Sequence, residues 1–287
     1  MKRREMLLTT GAAVLGASAF PFGWVAAAEK KKQKVLYFTR SAGYEHFAVA
    51  RRGEELSLSE KALTEWGQKA SFEVVCSKDG AVFDGDLDQY DAFIFYTSGM
   101  LTGKCAKPQP GQPMSPEGKD KFLAAIEAGK GFVGIHACTD SFRGQGIDPY
   151  IAMVGGEFVV HGEQQKAPMK VASPHFPGVE GLGDAFSIFE EWYVLHKFAK
   201  DLHVILVQET GHMKGPVYQR PSYPATWARM QGKGRVFYTS MGHESIWRTL
   251  PFRQVLLGGI AWALHNVDAD VPPNVAQVTP QALAAKK

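Results

Sequence analysis

Short, nearly continuous apolar runs alternate along the chain with stretches whose apolar residues recur at helical spacing, and that alternation predicts buried parallel strands joined by helices. The clearest run is Gly131-Phe132-Val133-Gly134-Ile135, followed by His136-Ala137-Cys138-Thr139-Asp140. It reads as a strand buried on both faces that delivers a histidine to its carboxyl end, where ligands collect in open α/β sheets. Upstream, Ser115 and Pro116 mark a helix start and Gly129 suits its left-handed stop. Residues 35–39 predict a first strand running into the polar loop Arg40-Ser41-Ala42-Gly43-Tyr44-Glu45-His46. Residues 47–69 predict an amphipathic helix carrying Leu56, Leu63 and Trp66, and strands are expected over 72–76 and 90–98.

Beyond the central strand the pattern predicts a short helix over 147–153 and a strand over 155–161 that ends in His161. Strands over 169–173 and 203–208 follow, with 186–198 between them. A hairpin over 226–230 and 235–240 turns at Gln231-Gly232-Lys233-Gly234, and a last helix spans 251–265. Pro108, Pro110 and Pro113 exclude regular structure from 99–114, and the end of the chain from residue 268 reads as a tail lying loosely on the surface. The expectation is an α/β fold with a doubly wound, mostly parallel sheet in one domain over 34–266, and a C-terminal tail over 267–287.

The first residues change the picture of where the protein works. Lys2-Arg3-Arg4 precedes an apolar run over 6–20, and Ala26-Ala27-Ala28 offers a small-residue cleavage site. Residues 1–28 read as an export signal of the twin-arginine type and 29–33 as a linker, so a periplasmic or secreted protein is expected. An ordinary Sec signal or an uncleaved anchor is the alternative; the run is short for a membrane span and broken by Gly11 and Gly16, and no second hydrophobic span follows. The 287 residues are 45% hydrophobic, enough to fill a core. Their net charge of +3 includes the basic signal and Lys30-Lys31-Lys32, which leaves the folded body near neutral and gives no reason to expect nucleic acid. Three cysteines, Cys76, Cys105 and Cys138, cannot all pair. Oligomeric state is not legible.

Among nine histidines, His136, His161 and His243 each end a predicted strand, and His46 ends the loop after the first. One histidine so placed is usually structural; four converging on one sheet edge point to a functional cluster. Arg40 is placed to hold a carbonyl or hydroxyl oxygen by a forked hydrogen bond, or to form a salt bridge at the loop base. Gly232-Lys233-Gly234-Arg235 lacks Walker spacing and Gly144-Gln145-Gly146 lacks the dinucleotide pattern, so no nucleotide cofactor is expected.

Taken in order, Arg40 to His46, Gly134-Ile135-His136-Ala137, Gly155-Gly156-Glu157-Phe158 with His161, Glu190-Glu191-Trp192-Tyr193, and Trp227 to His243 resemble the trehalose-utilisation (ThuA-like) family across nearly the whole mature chain. The resemblance implies a flavodoxin-like fold of the class I glutamine amidotransferase-like type. In the amidotransferases the strand-to-helix elbow carries a nucleophilic cysteine; here the position is His136, with Cys138 two residues on, so amidotransferase cysteine chemistry is not expected. A link to sugar metabolism is implied: a disaccharide, a glycoside or its 3-keto derivative, handled by His/Glu acid-base chemistry. Glu191 is the better proton-transfer or ligand candidate of the acidic pair, unless both are ordinary exposed acids. His136, His161, His243 and Glu191 are the expected catalytic groups, and Arg40, His46, Trp192 and Tyr193 the expected sugar contacts, the two aromatics as a wall for a pyranose face, with Trp192 read equally well as a buried core residue. A divalent metal such as zinc stays an open expectation, with His136, His161, His243 and Glu191 as its ligands. A non-catalytic periplasmic sugar-binding protein is the rival reading.

Overall fold

The chain enters its sheet through β1 (Gln33–Phe38), whose last four residues are fully buried. Ser57 then starts α1 (Leu58–Lys69): its Oγ accepts the Glu60 N–H while the Glu60 carboxylate accepts the Ser57 N–H. This reciprocal cap, with Arg51 forked onto Glu60, limits the helix expected over 47–69 to its second half; the first half holds only a one-turn segment, Phe47–Val49. Next come β2 (Phe72–Ser77), β3 (Ala92–Phe95) and α2 (Pro116–Ala128), which Ser115 caps by accepting the Gly118 N–H. Gly129 ends α2, and β4 (Gly131–Ile135) follows, buried at every residue. The remaining elements are α3 (Pro149–Val154), β5 (Glu157–His161), β6 (Gln165–Val171), β7 (Ala185–Glu190), β8 (Tyr193–His196), β9 (His203–Gln208), the hairpin β10 (Tyr223–Gln231) and β11 (Gly234–Thr239), α4 (Leu250–Ala263), α5 (Val275–Val278) and α6 (Pro280–Ala284).

Nine strands form one mixed sheet in the order β2-β1-β3-β4-β11-β10-β9-β6-β7. Pairing is parallel from β2 to β11 and antiparallel from β11 to β7. On β4 the Phe132 ring lies 5.9 Å from Phe122 of α2, while its neighbour Gly131 abuts the Ala263 carbonyl of α4. Successive strand residues point to opposite faces, so α2 and α4 cover the two sides of the sheet. This is an α/β, flavodoxin-like arrangement, and β4 lies inside its parallel half. The strand expected over 155–161 forms, but outside that sheet: β5 pairs with β8 in a separate two-stranded ribbon.

The computed structural model describes residues 32–284, and the chain from Lys32 onward clusters as one unit. The expected export signal lies outside the described residues. The tail does not lie loosely. Asn274 Oδ1 accepts the Val204 N–H at 2.6 Å, the Asn274 N–H donates to the Leu202 carbonyl at 3.0 Å, and Val275 is buried; the proline-rich composition hid an apolar anchor. No helix among the described residues is long and apolar enough to cross a membrane.

Candidate functional site

At the end of β4 the chain turns sharply. His136 adopts φ 47°, a left-handed conformation uncommon for a residue with a Cβ, and its ring points to the end of β11, where Nδ1 meets the Ser240 carbonyl at 2.6 Å. Gly242 lets the strands close there, since a Cβ on it would lie 2.7 Å from His136 Cβ. The loop after β1 brings in His46, held by Ser98 Oγ donating to the Tyr44 carbonyl at 2.6 Å. Glu191 sits in the corner between β7 and β8, where the chain leaves the main sheet for the ribbon. Along β7 Ile188 and Glu190 are buried while Ser187 and Phe189 are exposed, and this period of two turns Glu190 inward.

Three groups meet tightly. His46 Nε2 and His136 Nε2 each lie 3.3 Å from Glu191 Oε2, and the potential ligand atoms of the three residues all fall within 4.8 Å of one another. His161 flanks them, its Nε2 3.7 Å from Glu191 Oε1 and its side chain 43% exposed. A carbonyl oxygen only accepts, so Nδ1 of His136 must carry the proton it donates to Ser240, and Nδ1 of His161 the one it donates to Gly162 at 3.0 Å. In the neutral rings both Nε2 lone pairs therefore turn toward the Glu191 carboxylate. Burial holds the His136 pKa down to about 4, against the opposing pull of Glu191. Burial alone would raise that of Glu191, but the close His136 and His46 rings outweigh it and hold the carboxylate well below its usual range. Neutral imidazole nitrogens facing an ionised carboxylate are a donor set that suits a divalent cation such as zinc, and a ligand histidine whose other N–H is anchored on a backbone carbonyl is the usual supporting arrangement.

Tyr193 forms the floor: its ring stacks on His136 at 4.1 Å and 29°, and its hydroxyl is 3.1 Å from His46 Nε2. Glu190 is no exposed acid. Its carboxylate accepts the N–H groups of Glu191, Gly242 and His243 at 2.7, 2.9 and 3.1 Å, and ties the β7–β8 corner to the loop after β11. Burial pushes its pKa up to about 8 in spite of those bonds.

The expected ligand set therefore changes. His46, read as a sugar contact, joins His136 and Glu191 at the centre, because the loop after β1 folds over the end of β4. His243 stands outside: its ring centroid is 6.4 Å from that of His46 and 6.3 Å from that of His136, its Nε2 faces the Gln164 amide at 3.1 Å, and its buried Nδ1 has no hydrogen-bond partner. Trp192 is no sugar wall, being 1% exposed with Nε1 donating to the Gln165 carbonyl. Arg40 is buried too, and its guanidinium donates to the Lys78 and Pro110 carbonyls at 2.8 and 3.0 Å, which makes it a brace between loops. The exposed aromatic at the cluster is Tyr44, 71% exposed and edge-on to His46 at 4.9 Å. Its only sequence signal was its place beside His46. Cys138 is fully buried, and burial raises its thiol far above the range where a thiolate forms.

Residues 34–263 match the model of the ThuA family, described as trehalose utilisation. A solved ThuA-like protein from Bacteroides uniformis superposes with a TM-score of 0.63 at 18% identity, covering 89% of this chain and 99% of that one. Another, from Parabacteroides merdae, gives 0.61 at 18% identity, covering 87% and 96%. At these identities the likeness speaks for the fold. No curated protein matches the chain in sequence.

Proposed function

The chain belongs to the ThuA, or trehalose-utilisation, family, and on that premise we propose that it is an exported, metal-dependent enzyme of carbohydrate metabolism that opens glycosides oxidised to a ring ketone. The observation that carries this reading is the buried His46–His136–Glu191 group, with ligand atoms within 4.8 Å of one another. When bound there, a divalent ion supplies a Lewis acid for a sugar carbonyl or hydroxyl oxygen. The chain's own groups supply the rest. His46, His136 and Glu191 would hold the ion, and Tyr193 and Glu190 fix their orientation. His161 is partly exposed, and its Nδ1–Gly162 bond leaves Nε2 free to take a proton. A C–H beside a ketone is acidic enough for an imidazole base, and its removal lets the glycosidic bond leave by elimination. Burial lowers the His243 pKa, and its Nε2 accepts the Gln164 amide N–H, so that ring borders the group as a neutral neighbour. Tyr44 offers its exposed face to the apolar side of a pyranose.

Elemental analysis of protein purified without chelator, joined to a panel of 3-keto-glycosides and plain disaccharides, tests the proposal. It expects stoichiometric metal and turnover of the keto-glycosides that a chelator abolishes and the metal restores. Metal-free protein that still turns over substrate removes the ion from the reading. Saturable sugar binding with no turnover under any metal assigns the protein to the non-catalytic binding class instead.

A further inference from the structure

We propose that Tyr218 is a positioning residue of this site, its hydroxyl setting the His161 imidazole against the His46–His136–Glu191 group; the inference rests on the reading of His161 as the base above. His161 is the last residue of β5, and the last pair of the ribbon is His161 with Tyr193. Carried one step further, that register sets Gly162 opposite Trp192. There a side chain replaces the ladder bond. The Tyr218 hydroxyl accepts the Gly162 N–H at 2.9 Å and donates to the Trp192 carbonyl at 2.8 Å, so its donor and an acceptor position are both used. One oxygen thus joins the residue after His161 to the residue after Glu191, at the point where His161 Nε2 stands 3.7 Å from Glu191 Oε1.

The clamp is itself held in place. Tyr218 is buried and closes the one-turn segment Pro216–Tyr218. That segment packs directly on the Gly162 backbone, since a Cβ there would lie 2.7 Å from Tyr218 Cε2 and 3.1 Å from Val217 Cγ2. The loop before it is tied to the same region: Gln165 Oε1 accepts the Lys214 N–H at 2.8 Å, Gln165 Nε2 donates to the Lys214 carbonyl at 2.9 Å, and the Gln165 carbonyl accepts Trp192 Nε1 at 2.7 Å. Tyr218 acts through the peptide that joins His161 to Gly162. The next carbonyl, that of Gly162, then accepts His161 Nδ1–H and turns Nε2 outward. A base must stand within hydrogen-bond reach of the proton it takes, and an error of about 1 Å costs on the order of 100-fold in rate. Removing the oxygen leaves the Gly162 N–H and the Trp192 carbonyl without their common partner, so the end of the ribbon must close or open, and His161 moves with it.

Wild type, Tyr218→Phe, Gly162→Ala and His161→Ala are compared on methyl 3-keto-glucoside and on the same substrate deuterated at C2, with metal content and Tm measured on each preparation. Tyr218→Phe removes the oxygen, and Gly162→Ala displaces the ring that carries it. The inference expects both to keep their metal, to hold KM within about 2-fold and to lose kcat by about 10- to 100-fold. It also expects a primary isotope effect on kcat at least as large as that of wild type, because a displaced base slows the C–H step. Unchanged kcat, a smaller isotope effect, metal lost together with activity, or failure of both variants to fold overturns the role of Tyr218 and leaves the enzyme reading intact. A His161→Ala protein as active as wild type overturns the base assignment and this inference with it, and a wild type that turns over no keto-glycoside overturns the enzyme reading as well.

Discussion

Gly242→Ala tests whether the packing behind His136 sets the geometry of the proposed metal site. The new Cβ would lie 2.7 Å from His136 Cβ and 2.8 Å from Ile135 Cγ2, where ordinary contact begins at 3.4 Å. One side must therefore give by roughly 0.7 Å. Gly242 is poorly able to move. Its carbonyl accepts from Tyr96 Oη at 3.1 Å and Trp247 Nε1 at 2.7 Å, and its N–H donates to Glu190 at 2.9 Å. His136 is the other party, and in its proposed role as a metal ligand it would tolerate only about 0.2 Å of displacement before coordination suffers. Overpacking of this kind costs about 1–3 kcal/mol, which for a chain of this size lowers Tm by roughly 4–8 °C around the middle of that range. Metal affinity should fall about 10-fold or more, as it does when a ligand's support is disturbed. Thermal melting of the metal-free protein reads the first quantity, and competition with a chromogenic chelator reads the second. A Gly242→Ala protein with wild-type Tm and wild-type metal affinity refutes the packing argument.

The remaining predictions concern other groups. Glu190 titrates near pH 8 when folded and near 4.5 when unfolded; across that window the folded state keeps a proton the unfolded state has lost, so stability falls as pH rises and levels off above 8. Burial drives His136 the other way, and its folded pKa near 4 makes stability rise between there and its ordinary value of 6.5. Between pH 6.5 and 8 Glu190 therefore acts without that opposition, and denaturant titrations should show wild type losing on the order of 1 kcal/mol per pH unit while Glu190→Gln runs flatter; parallel slopes reject the assignment. Tyr44→Ala should raise KM for a keto-glycoside by about 2- to 10-fold with Tm unchanged, whereas Trp192→Phe should cost about 1 kcal/mol in a denaturant melt and leave KM alone; the reverse pattern would restore Trp192 as the sugar contact. Residues 1–35 fused to a reporter should carry it across the membrane of an export-competent cell in folded form, and a reporter that stays in the cytosol excludes export.

Elements with a local cause were legible in the chain itself. The strand at Gly131–Ile135 announces itself by an apolar run between glycines, α2 by Ser115, Pro116 and Gly129, and the β10–β11 hairpin by its turn. Because a parallel strand needs both faces covered, those runs also determined the α/β class and placed His136 at a carboxyl edge. Where local signals competed, the pattern misled: the helix expected from the spacing of Leu56, Leu63 and Trp66 extends back to residue 47, but the cap at Ser57 decides where the helix starts.

The site depended on contacts between segments far apart in sequence. His46 and Glu191 are 145 residues apart and Glu191 and His136 are 55 apart, yet both pairs meet at 3.3 Å. No periodicity records such a meeting, since each partner's local sequence is satisfied without it. Burial of polar side chains is equally nonlocal. Arg40 and Trp192 have the residue types of a sugar site, but the loops around them supply backbone carbonyls that use their donors. Glu190 and Glu191 are adjacent and identical in kind; only the alternation of β7 and the corner that follows it send one to three backbone amides and the other to two imidazoles. Local pattern was enough to identify the strands of the parallel half and to set His136 and His161 at strand ends, but not β7, β8 or the corner between them. The tertiary structure decided which of those ends face one another, because that depends on strand order and on the path of loops whose energies come from contacts across the whole chain.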